Sequence, residues 1–270
     1  MTTYIITGAS DGIGAEMARQ IARADGSAAR LVLAARNLDK LEAVAAECRA
    51  LGASALAVAT NVSEEAQCRA LIAQAVQAFG GIDVLVNNAG VSAHALFSDV
   101  KEQDLHWYQR LMTVNLWGSV WCTHAALPHL KAAHGRIVAV SSLAGLIGVP
   151  GRTAYSATKF AMTGFFEALR AELRSSGVSV TIAFPGVVAT RIRHHGLNAK
   201  GETAGVSGLK EDDAMSVEEC AGLIVRAMNK RQREVVMTGT ARLGRFAKLI
   251  APGLIDKVAL SKLKDDARPQ

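Results

Sequence analysis

The sequence predicts an α/β fold: a doubly wound parallel sheet of seven strands, covered by helices on both faces in three layers, within a single domain. Three observations predict it. Short β-branched runs alternate with helix-length amphipathic stretches along the chain. The strand runs are nearly continuous in apolar residues, as strands buried on both faces must be. No repeat, low-complexity tract or proline-rich linker divides the 270 residues, of which 50% are hydrophobic and 20% charged, so apolar surface is ample and a disordered chain is excluded.

The elements follow in order. Tyr4-Ile5-Ile6 reads as the first strand, and Thr7-Gly8-Ala9-Ser10-Asp11-Gly12-Ile13-Gly14 follows at once and opens the first helix. A dinucleotide's pyrophosphate would rest on such a loop, because glycines let the backbone approach phosphates and a helix N-terminus offers unpaired N–H groups. The second strand, Leu31-Val32-Leu33, ends at Ala35-Arg36-Asn37. An NAD enzyme places an acid there for the ribose 2′-hydroxyl, whereas the Arg36 guanidinium suits a 2′-phosphate and favours NADP(H) over NAD(H). Leu41, Val44, Ala45 and Cys48 keep helical spacing before a third strand at Ala55 to Val58. Asn61-Val62 follows, then Ser63 ahead of Glu64-Glu65 as a helix cap, and a helix carrying Cys68, Leu71, Ile72, Ala75 and Phe79 that Gly80-Gly81 terminate.

Val84-Leu85-Val86 is the fourth strand and runs into Asn87-Asn88-Ala89-Gly90. Leu111 to Leu130 carries no formal charge and is long enough to span a membrane, yet it holds Asn115, Gly118, Ser119, Thr123, His124, Pro128 and His129, which predicts a buried helix. The fifth strand, Ile137 to Val140, closes on Ser141-Ser142, and an alanine-rich helix covers Thr153 to Leu173. Val178 to Phe184 and Val235 to Met237 are the last strands, and Ser216 with Glu219 has the spacing of a capping box.

Tyr155-Ser156-Ala157-Thr158-Lys159 is the sharpest chemical signal. On a helix, an i, i+4 pair projects the phenol and the ammonium from one face. A phenol with a pKa of about 10 is a poor acid-base catalyst at neutral pH, but a cation about 4 Å away at an effective dielectric of about 20 contributes ~4 kcal/mol before desolvation losses. That lowers the pKa enough to make Tyr155 a proton donor and acceptor. Ser142, at the carboxyl end of the fifth strand where α/β ligands bind, would orient the substrate oxygen, and it is preferred over Ser141.

Charge is distributed unevenly. Between Lys230 and Gln270 there are ten Lys or Arg against four acids, so this stretch carries all of the net +6 and the remaining 229 residues balance. The body has no general attraction for nucleic acid, and none is expected as a partner. Cys48, Cys68, Cys122 and Cys220 are scattered without metal-binding spacing, no His-Glu-x-x-His occurs, and no metal is expected. Met1-Thr2-Thr3 enters the first strand without a basic leader, which together with the cysteines predicts a cytoplasmic protein. Residues 1–238 read as the nucleotide-binding domain, and 191–215, with four glycines, His194-His195 and Glu211-Asp212-Asp213, as a polar lid. Residues 239–270 read as a basic amphipathic tail. Its apolar stripe of Leu243, Phe246, Ala247 and Ile250 favours docking on the chain or a second subunit over contact with an anionic membrane surface. Trp107, Trp117 and Trp121 are expected in the core or a subunit interface. Leu143, Leu146, Ile147, Val149 and Pro150, with Ala93, Ala95 and Leu96, would line an apolar pocket for a hydrophobic carbonyl or alcohol, and His94 lies nearby.

Together these motifs resemble the short-chain dehydrogenases/reductases. Thr7-Gly8-x3-Gly12-x-Gly14, Asn87-Asn88-Ala89-Gly90, Asn115, Ser142, Tyr155-x3-Lys159 and Pro185-Gly186-x3-Thr190 occur in order and in register; Ser141 to Gly145 and Ala35-Arg36 look most like the 11β-hydroxysteroid-dehydrogenase-like branch. The resemblance implies a Rossmann-type fold and a hydride passing between nicotinamide C4 and a carbonyl or alcohol carbon. It implies that Asn115 holds a water in a proton relay through Lys159, and that Asn88, Ala89 and Gly90 lie beside the adenosine ribose. It also implies that Asn61 and Val62 flank the adenine, that Pro185, Gly186, Val188 and Thr190 meet the nicotinamide carboxamide, and that helices 104–130 and 153–174 join subunits in a homodimer or homotetramer. Two residues depart from the pattern. Asp11 stands where NADP-preferring relatives carry a cation, leaving Arg36 to bind the 2′-phosphate, and Asn61 stands in place of the usual Asp, with its carbonyl left to accept from the adenine amino group. The alternative reading is a catalytically silent NAD(P)-sensing or scaffold protein of the same fold, against which Asn115, Ser142, Tyr155 and Lys159 all argue.

Overall fold

The computed structural model describes residues 1–207, 214–261 and 263. The acidic run Glu211-Asp212-Asp213, Lys262 and the tail charges from Lys264 onward lie outside the described residues. Seven strands form one sheet: β1 (Thr2–Thr7), β2 (Ala29–Ala35), β3 (Ser54–Ala59), β4 (Val84–Asn87), β5 (Arg136–Val140), β6 (Ser179–Phe184) and β7 (Glu234–Val236). Their order is β3-β2-β1-β4-β5-β6-β7, and every pairing is parallel. The chain reverses its direction of winding between β1 and β4, which leaves a crevice at the carboxyl ends of those two strands.

Helices α1 (Gly12–Asp25), α2 (Leu38–Ala50), α3 (Glu65–Phe79), α4 (His106–Met112), α5 (Gly118–Ala132), α6 (Thr153–Glu172) and α7 (Val217–Asn229) cover the sheet. Alternate strand residues feed two cores. Ile6, Leu31 and Leu33 pack with Met17, Leu41 and Ile224 of α1, α2 and α7. Ile5, Val32 and Leu85 pack with Leu71, Ala126 and Phe166 of α3, α5 and α6 on the other face. Each strand is therefore apolar at successive positions, which is why its sequence run is continuous.

Asp11, Asn37 and Ser216 cap α1, α2 and α7 through side-chain oxygens that accept from Gly12, Lys40 and Glu219 amides. Ser63 does not cap α3, contrary to expectation. The N-cap is Glu64, without a side-chain bond, and the Ser63 amide and hydroxyl both donate to Asn61 Oδ1, at 3.2 and 2.8 Å. The Leu111–Leu130 stretch is not one regular helix either, since a π turn at Thr113–Trp117 separates α4 from α5. Trp107 is buried, but Trp117 is exposed and stacks on Trp121 at 6.0 Å between ring centres. Among the described residues no helix is long and apolar enough to cross a membrane.

The segment between β6 and α7 has neither helix nor strand among its described residues, but backbone bonds tie it to the loop after β4: His94 N to Leu197 O and Leu197 N to Ser92 O, each 2.9 Å. Two further helices, α8 (Gly239–Ile250) and α9 (Pro252–Ser261), form the tail. Helix α8 is attached through buried Ala241, an Arg245–Glu234 ion pair and a bond from Lys248 Nζ to Leu146 O at 3.1 Å. None of the described residues covers the tail's apolar stripe: Leu243, Phe246, Leu249 and Ile250 are 64–87% exposed.

Candidate active site

The glycine loop joins β1 to α1 at the crevice. Gly8 and Gly12 have φ of +66° and +54°, and a Cβ on Gly14 would lie 2.4 Å from Gly8 O and 2.5 Å from Asn88 Nδ2. Side chains are excluded at these places, which leaves a bare backbone loop at the N-terminus of α1, a cradle that fits the pyrophosphate of a dinucleotide. Asn88 holds the loop in place, its Nδ2 donating to Thr7 O and Gly8 O while its amide donates to Thr7 Oγ1. Ala89 N donates to the same hydroxyl, so the Asn-Asn-Ala-Gly motif locks β4 to β1. Ser10 is half-buried in the loop, and Ile13 packs against the core under α1.

Two arrangements bear on the departures from the family pattern. Asp11 accepts from Arg191 Nη2 at 2.7 Å and from Gly12 N. Although burial acts to raise its pKa, Arg191 and the amide hold the carboxyl below its ordinary value, so its charge is met by a cation from beyond β6. Lys40 also stands within electrostatic reach, and Arg36 is exposed just past β2. Asn61 uses its carbonyl oxygen to accept from both the amide and the hydroxyl of Ser63. Val62 is buried, and its carbonyl would lie 2.7 Å from a Cβ on Gly118. Thr190 lies against the glycine loop, its methyl 3.3 Å from where a Gly12 Cβ would stand, and Leu143 N donates to Pro185 O at 2.9 Å beside Gly186. The Val188 carbonyl accepts from Thr190 N and Arg193 Nη2.

The reacting groups meet at the start of α6. Tyr155 and Lys159 point from the same helical face and both are buried. Lys159 Nζ donates to Val140 O at 2.9 Å and lies 5.8 Å from the Tyr155 ring centre. Burial alone would raise the phenol's pKa, but the charges of Lys159 and Arg152, the Ser142 hydroxyl and the charge of Arg193 together hold it below the ordinary tyrosine value. Burial likewise lowers the Lys159 pKa, against the pull of Tyr155. Ser142 faces the phenol, while Ser141 turns away to Lys159 O and Thr163 Oγ1.

Asn115 sits in the π turn and is fully buried. Its Nδ2 donates to Val91 O at 3.0 Å and Thr158 Oγ1 at 2.9 Å, and its Oδ1 accepts from Val91 N at 2.8 Å. Both N–H groups are engaged, which leaves Oδ1 as the atom able to hold a water. A Cβ on Gly90 would lie 3.2 Å from that oxygen and 3.8 Å from Lys159 Nζ, so glycine keeps open the space between the two groups.

Sequence reasoning missed Arg152. Its guanidinium lies 4.1 Å over the Tyr155 ring, Nε donates to Ala93 O at 3.3 Å, and Nη2 donates to Ser92 Oγ. His94 packs beside it against Gly151. A concavity bounded by Met1, Arg30, Phe79, Asp83 and His129 lies at the amino ends of β1 and β4, the opposite edge of the sheet, and shares no residue with this site.

A parallel α/β sheet with a glycine cradle at its switch point, and a serine, tyrosine and lysine gathered beside it, defines a nucleotide-dependent oxidoreductase. Residues 2–200 match the short chain dehydrogenase family, and the chain belongs to it. It is 37% identical over 253 residues to 11-beta-hydroxysteroid dehydrogenase-like 4A of Arabidopsis thaliana, covering 93% of this chain and 81% of that one. It is 31% identical to Dehydrogenase/reductase SDR family member 7B of Mus musculus over 98% and 82% of the two chains. Among solved structures, a short chain dehydrogenase/reductase from Burkholderia phymatum in complex with NAD aligns with a TM-score of 0.80 and 25% identity, covering 94% of both chains. An alcohol dehydrogenase from Thermococcus sibiricus complexed with 5-hydroxy-NADP aligns with 0.73 and 26%, over 87% and 95%. The protein is an oxidoreductase acting on alcohols or carbonyls with NAD(P).

Proposed function

We propose that the protein is an NADP(H)-dependent reductase or dehydrogenase of a small carbonyl or secondary alcohol, with Tyr155 as its general acid and base. The observation that carries this reading is the Tyr155 phenol, buried yet held below its ordinary pKa by Lys159, Arg152, Ser142 and Arg193. Gly8, Gly12 and Gly14 would hold the pyrophosphate, Arg36 the 2′-phosphate, Asn88, Ala89 and Gly90 the ribose, Val62 the adenine, and Val188 and Thr190 the nicotinamide end. The bound nicotinamide supplies or takes the hydride.

The chain's residues do the rest. Ser142 donates to the substrate oxygen and orients it. Tyr155 gives that oxygen a proton in reduction, or removes one in oxidation. Lys159 steadies the phenolate, and Asn115 would anchor through Oδ1 the water that returns the proton toward solvent. The apolar Leu143, Leu146, Ile147 and Val149 make a hydrophobic substrate body the best fit, and a cytoplasmic homo-oligomer the best fit for the whole molecule, with weak membrane-surface contact left to the tail. NADPH oxidation over a panel of hydrophobic ketones and aldehydes tests this. Wild type should turn over, and Tyr155→Phe should lose about 10²–10⁴-fold in kcat while still binding NADPH. A Tyr155→Phe enzyme at full turnover overturns the assignment.

A further inference from the structure

Arg152 is a half-buried cation beside Tyr155, and the reaction as described uses only its charge, not its N–H donors. The residue stands immediately before α6, and its backbone pairs with Ala95 in the loop after β4, so the side chain is held between the two segments that wall the crevice on the substrate side. Of its five N–H donors, one reaches Ala93 O and one Ser92 Oγ, bonds that set the plane of the guanidinium over the phenol ring, and the guanidinium also bonds the Tyr155 side chain. No Asp or Glu among the described residues pairs with Arg152. Its electrostatic neighbours are Tyr155 and a second cation, Arg193, whose Nη2 donates to Val188 O. With Lys159 this brings three positive groups around one phenol.

A desolvated cation with no carboxylate partner among the described residues calls for an anion. Lys159 already has Tyr155 and Val140 O. Arg152 stands in the wall of the crevice, and the N–H groups it does not spend on Ala93 O, Ser92 Oγ and Tyr155 offer the planar fork that suits one carboxylate. We propose that Arg152 is a substrate-binding residue that pairs with a carboxylate a few bonds from the reacting carbon, so that the substrate class is an amphipathic oxo acid or hydroxy acid. Its acid group meets Arg152 and its apolar body lies along Leu143, Leu146 and Val149. The inference rests on the functional reading above and narrows its substrate.

The test compares 4-phenyl-2-oxobutanoate with its methyl ester at saturating NADPH. Both substrates share Tyr155, so the ratio of their kcat/KM values cancels any change in the phenol's acidity. Wild type should favour the acid by at least about tenfold, the worth of one charge-assisted pair. Arg152→Met should bring the ratio close to one, and Arg152→Lys, which keeps the charge without the fork, should recover part of it. Calorimetry gives a readout independent of turnover: 4-phenylbutanoate should bind wild type at least about tenfold more tightly than 4-phenylbutanamide. A wild-type preference for the ester, an acid preference that survives in Arg152→Met, or equal binding of the two calorimetric ligands overturns the carboxylate subsite. If neither ketone nor any other carbonyl is reduced, the reading as a reductase fails, while the calorimetric comparison still decides the subsite.

Discussion

At the scale of single residues, the phenol of Tyr155 is governed by a contest between burial and positive charge, and charge prevails. Reduction needs the proton on Tyr155 and declines as pH rises through its depressed pKa; oxidation needs the phenolate and grows over the same interval. Removing the cation that lowers it most moves that interval upward. Lys159→Met should therefore shift the oxidative limb of the kcat/KM profile to higher pH as well as lowering its plateau, measured with any accepted alcohol. On the cofactor side, Arg36→Ala should cost NADPH about tenfold or more in affinity and leave NADH nearly untouched, as fluorescence titration would read. An unchanged NADPH to NADH ratio would remove Arg36 from the 2′-phosphate site. Tyr155 and Lys159 were legible because a four-residue spacing on a helix puts both on one face. Arg152 was not, since nothing in the order Pro150-Gly151-Arg152 says that one of 30 basic residues folds back over a ring. Its direction comes from the turn into α6, where its φ and ψ are −136° and 35°.

At the scale of elements, the strands could be read almost to their ends because β-branched runs buried on both faces leave a continuous signal. The glycine loop was equally readable, and the structure adds why each glycine is needed. Gly14→Ala drives a methyl into Gly8 O and Asn88 Nδ2, so it should destabilise by about 1–3 kcal/mol, lower Tm by several degrees in calorimetry and weaken NADPH binding at the same time. The π turn was hidden, since hydrophobic periodicity between residues 111 and 130 does not register one extra residue in a turn. Yet that turn brings Asn115 to Val91, Thr158 and the gap beside Gly90. Pairings across long separations were hidden too. Asp11 and Arg191 lie 180 positions apart, and the acid that stands where relatives carry a cation is met by a partner that only the fold supplies.

At the scale of the whole molecule, three of the six excess positive charges and the exposed apolar stripe fall on one helix, α8, where Leu243, Leu249 and Ile250 face solvent and Arg242, Arg245 and Lys248 are interleaved with them. Surfaces of this kind are rarely left bare. The exposed Trp117, last residue of the π turn, and Phe160 on α6 lie in the stretches expected to join subunits. For a homo-oligomer assembled there, Trp117→Arg should lower the sedimentation coefficient toward that of a monomer at micromolar concentration while the far-ultraviolet dichroism stays unchanged. The order β3-β2-β1-β4-β5-β6-β7 also has a consequence in time. The first strand of the sheet to be made, β1, is an interior one, flanked by β2 and β4. It gains β2 within some thirty residues, but its other neighbour, β4, begins only at Val84. At ribosomal speeds of about 5–20 residues per second, the Tyr4-Ile5-Ile6 edge stays unpaired for roughly 4–16 s while the rest is synthesised. During that window this apolar edge, buried in the finished protein, is the part of the nascent chain most in need of shelter.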